Sequence, residues 1–379
     1  MTEKNSVEAW LSGLGAPAAD RDYKPGHARM HELLSGMELR RPSLRIRIAG
    51  TNGKGSTAQM LAAGLVAGGL KVGLYTSPHI HAFNERIRIA GEPVSDGLLL
   101  ELLPAIVERA MHVGASYFEV ATALALRAFS DAQVDVEILE AGVGARLDAT
   151  TAVPADIALL TPVALDHQAW LGNSLAEIAN EKAHVFDGCR WCISAAQTTE
   201  VRAVVDGLIE GVAYAEPALL PLSMRGAHQQ VNAGLALAGL DVLRNENVVS
   251  LSRQDAEKAV CTARLDGRMQ EVGRGSQRFW LDVAHNRHAV EALLPELRAL
   301  GPFDAVFVFT REDRDLSGTF ALLRPLTKRL LSDRQGSDAT YPSITEALGK
   351  ETDKEAGRFL VLGSFITVAA ADDWLANRR

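Results

Sequence analysis

The run RIRIA (45–49) passes directly into GTNGKGS (50–56) and then into an Ala/Leu-rich stretch, so an apolar strand, a glycine-rich turn and a helix follow one another without a linker. Gly50, Gly53 and Gly55 let the backbone turn tightly and present N–H groups, with Thr51 and Asn52 completing the turn. Lys54 adds a mobile cation, and Ser56 opens the next helix at its positive end. This is the composition of a phosphate cradle. It departs from the general P-loop spacing, because Ile48 stands where the first glycine would be and Gly55 intervenes before Ser56. The alternative reading, a glycine turn with an exposed lysine, accounts less well for the strand before it and the helix after it.

The same strand-then-helix alternation continues. KVGLY (71–75), a helix near 97–112, another near 117–130, VDVEIL (134–139) and IALLT (157–161) predict a doubly wound, mostly parallel α/β sheet. Polar residues fall where these strands end: GTNGKGS after the first, TSPH after the second, Glu140 after the third, and Asp166-His167 soon after the fourth. Ligands of open α/β sheets sit outside the carboxyl ends of the strands, so these loops predict a site at one edge. A helix near 230–243 is expected to close this domain, followed by a linker near 244–265. A smaller α/β block then runs through RFWLDVA (278–284), a helix at 287–299, DAVFVF (304–309), a helix near 316–331 and FLVLGS (359–364).

Length and composition bound the rest. A chain of 379 residues is enough for two domains, and 47% hydrophobic with 23% charged residues is the balance of an ordinary globule. A formal net charge of −8 with no basic face argues against nucleic-acid partners. Neither an apolar run of membrane-spanning length nor a leader pattern is visible, so a cytoplasmic monomer without a membrane partner is expected. Cys189, Cys192 and Cys261 are the only cysteines. The CxxC at 189–192 lacks two further soft ligands at zinc spacing, so these cysteines are read as incidental.

GTNGKGS, with TSPH and ERIRIAGEPVS behind it, resembles the Mur ligase superfamily and, within it, the folylpolyglutamate synthases and dihydrofolate synthases. The resemblance recurs in order through SYFE (116–119), LEAGVGARLDAT (139–150), LDHQAWLG (165–172), NEKAHVF (180–186), RGAHQQVNA (225–233), LDGRMQ (265–270), LDVAHNRHA (281–289) and LGSFITVA (362–369). It implies a P-loop-type, Mur-ligase-like ATP-binding domain over 1–260 and a smaller Rossmann-like ligase domain over 261–379.

The resemblance implies that Ser77, Glu140 and His167 hold magnesium near the ATP phosphates. Read alone, Ser77 is a strand-end cap and Glu140 a surface carboxylate, and a histidine ligand to a hard cation would leave manganese acceptable as well. Lys182, otherwise a solvated lysine on a helix, is implied to be carbamoylated. Lys54, Glu140, His167 and Lys182 thereby become the catalytic set. Asn232 and Asp282 are assigned to adenine and ribose, and Arg268 and His285 to the phosphate chain, as a group read with the second domain. Ser116, Tyr117, Phe118 and Glu119, with Leu147, Asp148 and Ala149, match segments that line a dihydropteroate pocket in bifunctional relatives. YKPGHARM (23–30) resembles the N-terminal folate loop loosely. Departures are Ala145 for glycine, Thr151 for asparagine, Arg287 for proline, and REDRD (311–315) for a Met-x-Asp-Lys-Asp stretch.

The implied reaction is ATP-dependent ligation of L-glutamate to dihydropteroate, a reduced folate, or both, through an acyl phosphate, with domain closure on ATP binding. Two other readings stay open: a Mur-type peptide ligase with another acceptor, and a nucleotide-binding relative without ligase activity.

Overall fold

The computed structural model describes residues 6–14, 26–311, 316–353 and 356–378. The chain divides into two compact units: residues 1–221 with 230–263, and residues 222–229 with 264–379. The division falls after Ala263 and again inside the helix Ala227–Asn245.

The first unit is built on eight strands: β1 Leu44–Ala49, β2 Val72–Tyr75, β3 Ile87–Ile89, β4 Glu92–Pro93, β5 Val136–Glu140, β6 Ile157–Leu160, β7 Trp191–Ala195 and β8 Ala213–Ala215. They lie in the order β4-β3-β2-β5-β1-β6-β7-β8. All neighbours from β2 to β8 pair in parallel, and β3 and β4 add an antiparallel edge. Every residue of β1, β2, β5 and β6 is buried, as expected for parallel strands covered by helices on both faces. One apolar layer gathers Tyr75, Leu99, Leu103, Leu124 and Phe129, and another gathers Leu160, Ile178, Val185, Phe186 and Val201.

The helices start where the sequence provides caps. Ser116 and Glu119 form a reciprocal capping box at helix Tyr117–Asp131, and Ser174 and Glu177 do the same at helix Leu175–Ala183. Ser252 caps a helix at Arg253–Thr262, which corrects the expected linker near 244–265. That helix buries Ala256 and Val260 and packs against helix Lys54–Ala67. Without a Pro/Gly break, the stretch had an apolar stripe to bury and continued the domain.

The second unit has β9 Gln270–Arg274, β10 Ser276–Asp282, β11 Ala305–Val308, β12 Leu330–Ser332, β13 Ala339–Thr340 and β14 Ala356–Leu362, in the order β13-β12-β11-β14-β10-β9. Only β9 runs antiparallel to its neighbour. The expected helix near 316–331 is shorter. It spans Ser317–Leu323, gives way to a single 3-10 turn at Arg324–Leu326, and is followed by β12. Pro325 disfavours continued α-helix at the residue before it and removes an N–H donor, which ends the helix there.

Candidate active site

Strands β2, β5, β1 and β6 are consecutive neighbours, so the segments that follow them leave the sheet at one edge. Glu140 is the last residue of β5, not part of the loop beyond it. At the end of β1, Gly50 adopts φ +140, and a Cβ there would lie 1.9 Å from Thr161 Oγ1 and 2.8 Å from the Thr161 carbonyl. The loop therefore lies flush against the end of β6 with no room for a side chain. Thr51 laces it to the next segment: its N–H donates to the Pro162 carbonyl, its hydroxyl donates to the Ala164 carbonyl at 3.0 Å, and Oγ1 accepts from the Ala164 N–H at 3.0 Å. Gly53, at φ +92, precedes helix Lys54–Ala67, and a Cβ there would lie 2.2 Å from Asn232 Oδ1. Asn232 is thus beside the glycine loop and in the first unit, a correction to its grouping with the second-domain residues. The helix that carries it crosses the division between the units.

Two lysines meet over this loop. Lys54 Nζ donates to the carbonyls of Gly50 and Thr51 at 3.3 and 3.2 Å, and Lys182 Nζ donates to the Gly50 carbonyl at 2.8 Å. Lys182 is 2% exposed. Burial, reinforced by the Lys54 charge, pulls its ammonium down to about 7. A lysine so placed is partly a neutral amine at neutral pH, and hence a nucleophile. Beside it, Arg146 donates its N–H to the Glu181 carbonyl and pairs with the Glu181 carboxylate at 2.8 Å, tying the loop after β5 to helix Leu175–Ala183.

The Ser77 N–H donates to Glu140 Oε2 at 3.0 Å, which brings together two of the expected metal residues. His167 follows β6 at φ +50, where its N–H donates to Asp166 Oδ1 and its backbone starts the short helix Gln168–Leu171. Among the described residues, no group of three His, Cys, Asp or Glu is gathered closely enough to hold a metal alone. One buried carboxylate with a serine beside it suits a divalent cation that completes its shell with phosphate oxygens and water.

The segments expected around a pterin are strongly cross-linked. Glu119 accepts from the Ser116 N–H at 2.7 Å and pairs with Arg29 at 3.1 Å. The Tyr117 ring lies edge-on to Phe83, with the Arg86 guanidinium 5.5 Å from its centroid. Phe118 packs 6.0 Å from Tyr75 and occupies the space a Cβ on Gly142 would need, 2.7 Å away. Asp148 is 1% exposed, and its carboxylate accepts from the N–H groups of Gly142, Val143 and Thr150 and from the Thr150 hydroxyl. Its oxygens are used inside the loop, which holds half-buried Leu147 and buried Ala149 in place. His27 Nε2 lies 3.1 Å from the Asp148 carbonyl and 3.0 Å from Thr151 Oγ1. His27 and Arg29 were not singled out individually from the sequence; the GHARM part of YKPGHARM was the available signal. Tyr23, Lys24 and Pro25 of that segment, and Glu312–Asp315 of REDRD, lie outside the described residues.

In the second unit, Asp282 ends β10 and is 4% exposed. It accepts from the N–H groups of Met269 and Ala284, each at 2.8 Å. Burial raises its carboxyl, opposed by the Arg268 charge. Arg268 sits in the turn between Gly267 and Met269, its guanidinium 5.5 Å from the Phe365 ring centroid. His285 Nδ1 donates to the Val283 carbonyl at 2.9 Å, and Asn286 caps helix Arg287–Leu300. Asp282, Arg268 and His285 are therefore gathered by one strand end and one turn. The CxxC thiols sit among backbone carbonyls, where burial pushes Cys189 up to about 11 and Cys192 upward, away from thiolate chemistry.

No family model matches the chain. Individual proteins do. The dihydrofolate synthase/folylpolyglutamate synthase of Escherichia coli (strain K12) is 32% identical, over 88% of this chain and 86% of the relative. Its counterpart in Bacillus subtilis (strain 168) is 31% identical over 78% and 76%. Among solved structures, E. coli FolC in complex with DHPP and ADP superposes with a TM-score of 0.83 at 29% identity, covering 99% of each chain. A bifunctional folylpolyglutamate synthase/dihydrofolate synthase with Mn, AMPPNP and L-glutamate bound gives 0.83 at 28% identity over 98% of each. With similarity of this extent in sequence and in three dimensions, the chain belongs to the folylpolyglutamate synthase/dihydrofolate synthase family.

Proposed function

We propose that this chain joins L-glutamate to dihydropteroate, to a reduced folate, or to both, at the expense of ATP. As a member of its family it is an ATP-dependent ligase that forms a carbon–nitrogen bond. The observation that carries the proposal is the convergence of Lys54 and Lys182 on the Gly50 carbonyl, at the sheet edge where the loops after β2, β5, β1 and β6 emerge.

The acceptor's carboxylate attacks the γ-phosphorus of ATP and ADP leaves. The amine of L-glutamate then attacks the acyl carbon, and inorganic phosphate leaves with the amide formed. Lys54 turns from its loop carbonyls to the transferred phosphoryl group and neutralises charge there. Ser77, Glu140 and His167 would hold magnesium, with manganese as a substitute, and the cation would supply charge stabilisation at the phosphates. Asn232 beside Gly53 is assigned to adenine, Asp282 to ribose, and Arg268 and His285 to the phosphate chain. Thr51, Asn52, Gly53, Gly55 and Ser56 present backbone and hydroxyl donors to phosphate.

Lys182 is proposed to carry a carbamate. Its neutral amine attacks CO2, the N–C bond forms and a proton leaves, so the cation at the Gly50 carbonyl becomes an anion that can orient the metal or the incoming amine. A mass increase of one CO2, lost on acidification, would report it. Ser116–Glu119 and Leu147–Ala149 are assigned to the acceptor's pterin end through the surfaces they shape. The cytoplasmic, monomeric setting belongs to the same proposal; no described helix is long and apolar enough to cross a membrane.

The test is direct. Purified protein is given ATP, magnesium and L-glutamate with dihydropteroate or tetrahydrofolate, and the products are weighed. A glutamyl adduct on either acceptor is expected. ATP hydrolysis with neither acceptor extended overturns the proposal.

A further inference from the structure

Gly226, Ala227 and His228 open the helix Ala227–Asn245 and lie in the second compact unit with Arg268. Gly226 has φ +106, and a Cβ there would lie 2.6 Å from His228 Cε1 and 2.8 Å from Nδ1. The imidazole is folded back over the glycine, into space that any side chain at 226 would need. The ring hydrogen-bonds to the backbone of Ala292, while Nδ1 is buried without a partner. The bonded atom is therefore Nε2. Because a carbonyl only accepts, Nε2 carries the proton and Nδ1 a lone pair.

A buried acceptor left without a donor is costly, and most are filled in some state of the protein. The cation whose charge acts most strongly on the ring is Arg268. Burial first, then the Arg268 charge and a smaller contribution from His288, hold the imidazole at about 4, so the ring is a neutral acceptor across the physiological range. The turn bearing Arg268 is pinned: the Gly267 N–H donates to Gln270, the Val283 N–H to the Gly267 carbonyl, and the Met269 N–H to Asp282. The guanidinium itself rests over Phe365 and makes a long contact with the Gly267 carbonyl at 3.5 Å.

We propose that His228 is a positioning residue for Arg268, its Nδ1 lone pair accepting from the guanidinium and fixing the plane in which the remaining N–H donors meet the nucleotide phosphates. A planar fork needs such an orienting partner if it is to bind phosphate through two parallel N–H groups. The inference rests on the assignment of Arg268 to the phosphate chain.

Asparagine and glutamine separate this role from packing. An asparagine amide places an oxygen near the position of Nδ1, whereas a glutamine amide reaches the position of Nε2 and can still donate to Ala292. The full-length His228→Asn, His228→Gln, Arg268→Ala and His228→Gln/Arg268→Ala proteins are compared for kcat, for KM of ATP and of L-glutamate, and for calorimetric affinity toward a non-hydrolysable ATP analogue. Urea midpoints report folding. His228→Gln is expected to raise the KM for ATP about tenfold, the size of a lost hydrogen bond to a charged group, with the KM for L-glutamate unmoved. His228→Asn is expected to stay near the parent, and His228→Gln to add nothing once Arg268 is alanine. A His228→Asn protein impaired as much as His228→Gln overturns the proposal, as does an effect confined to the urea midpoints. If Arg268→Ala leaves ATP affinity unchanged, the phosphate assignment itself fails and takes this inference with it. If Arg268→Ala weakens ATP binding and His228→Gln does not, only the role of His228 fails.

Discussion

Lys182 Nζ donates to the Gly50 carbonyl at 2.8 Å, and Lys54 Nζ reaches the same oxygen at 3.3 Å. One carbonyl of the glycine loop thus receives a cation from the helix that follows the loop and another from a helix more than a hundred residues away in sequence. Burial and the neighbouring charge together hold Lys182 at about 7 against an ordinary 10.5.

The pH dependence of stability follows with a definite sign. Between about pH 7 and 10.5 the unfolded chain binds more protons at position 182 than the folded chain does, so stability rises with pH. Below pH 7 both states are protonated and the cost of the buried charge is fully present. In CO2-free buffer the parent should gain on Lys182→Met by up to about 1.4 kcal/mol per pH unit through this window. Urea unfolding of both proteins between pH 7 and 10 checks it, and parallel stability curves would count against it. The same substitution is expected to abolish ligation.

Glu140 is 4% exposed and accepts from the Ser77 N–H. Glu140→Gln retains an acceptor for that N–H and removes the charge. The fold should survive while ligase turnover falls about a hundredfold, the scale of a lost electrostatic stabiliser. Turnover measured against rising magnesium or manganese should show saturation displaced to higher metal. An unchanged metal dependence would remove Glu140 from the metal assignment.

Gly53 combines φ +92 with a would-be Cβ 2.2 Å from Asn232 Oδ1. Gly53→Ala should lose at least the roughly 1–2 kcal/mol of left-handed strain, and its KM for ATP should rise as Asn232 is displaced. Asn232→Ala relieves the contact but not the strain. Chemical denaturation of the two single variants and the double variant should therefore give a loss in the double smaller than the sum. Strict additivity would mean that the two residues do not press on each other.

Asp148 takes four donors from its own loop. In Asp148→Asn, one oxygen becomes an NH2 facing donors, so a loss of about 2–3 kcal/mol in unfolding free energy is expected. Denaturation with urea measures it. A variant as stable as the parent but unable to bind dihydropteroate would shift Asp148 from shaping the loop to contacting the ligand.

Much of the first unit was legible in the sequence because its signals are local. An apolar run reads as a buried strand, an Ala/Leu-rich stretch near 117–130 reads as a helix, and three glycines around Lys54 read as a turn that can approach phosphate. The loops after four strands could be assigned to one edge from the parallel alternation alone, and β2-β5-β1-β6 are indeed consecutive neighbours. The helix Arg253–Thr262, the strand β12 and the early helix stop at Leu323 are not legible in the sequence, since short elements with weak periodicity take their identity from what they pack against.

What the sequence by itself determined was the α/β alternation, the glycine loop and the residue types able to do the chemistry, because these depend on neighbours along the chain. Tertiary structure alone decided which of them meet: Asn232 on Gly53, Arg29 on Glu119, and Lys182 on Gly50. A lysine's spacing in a helix says nothing of its solvation. Only the closure of the sheet and its helices removes water from Lys182 and sets Lys54 next to it, and that loss of water is what moves its proton affinity into the neutral range.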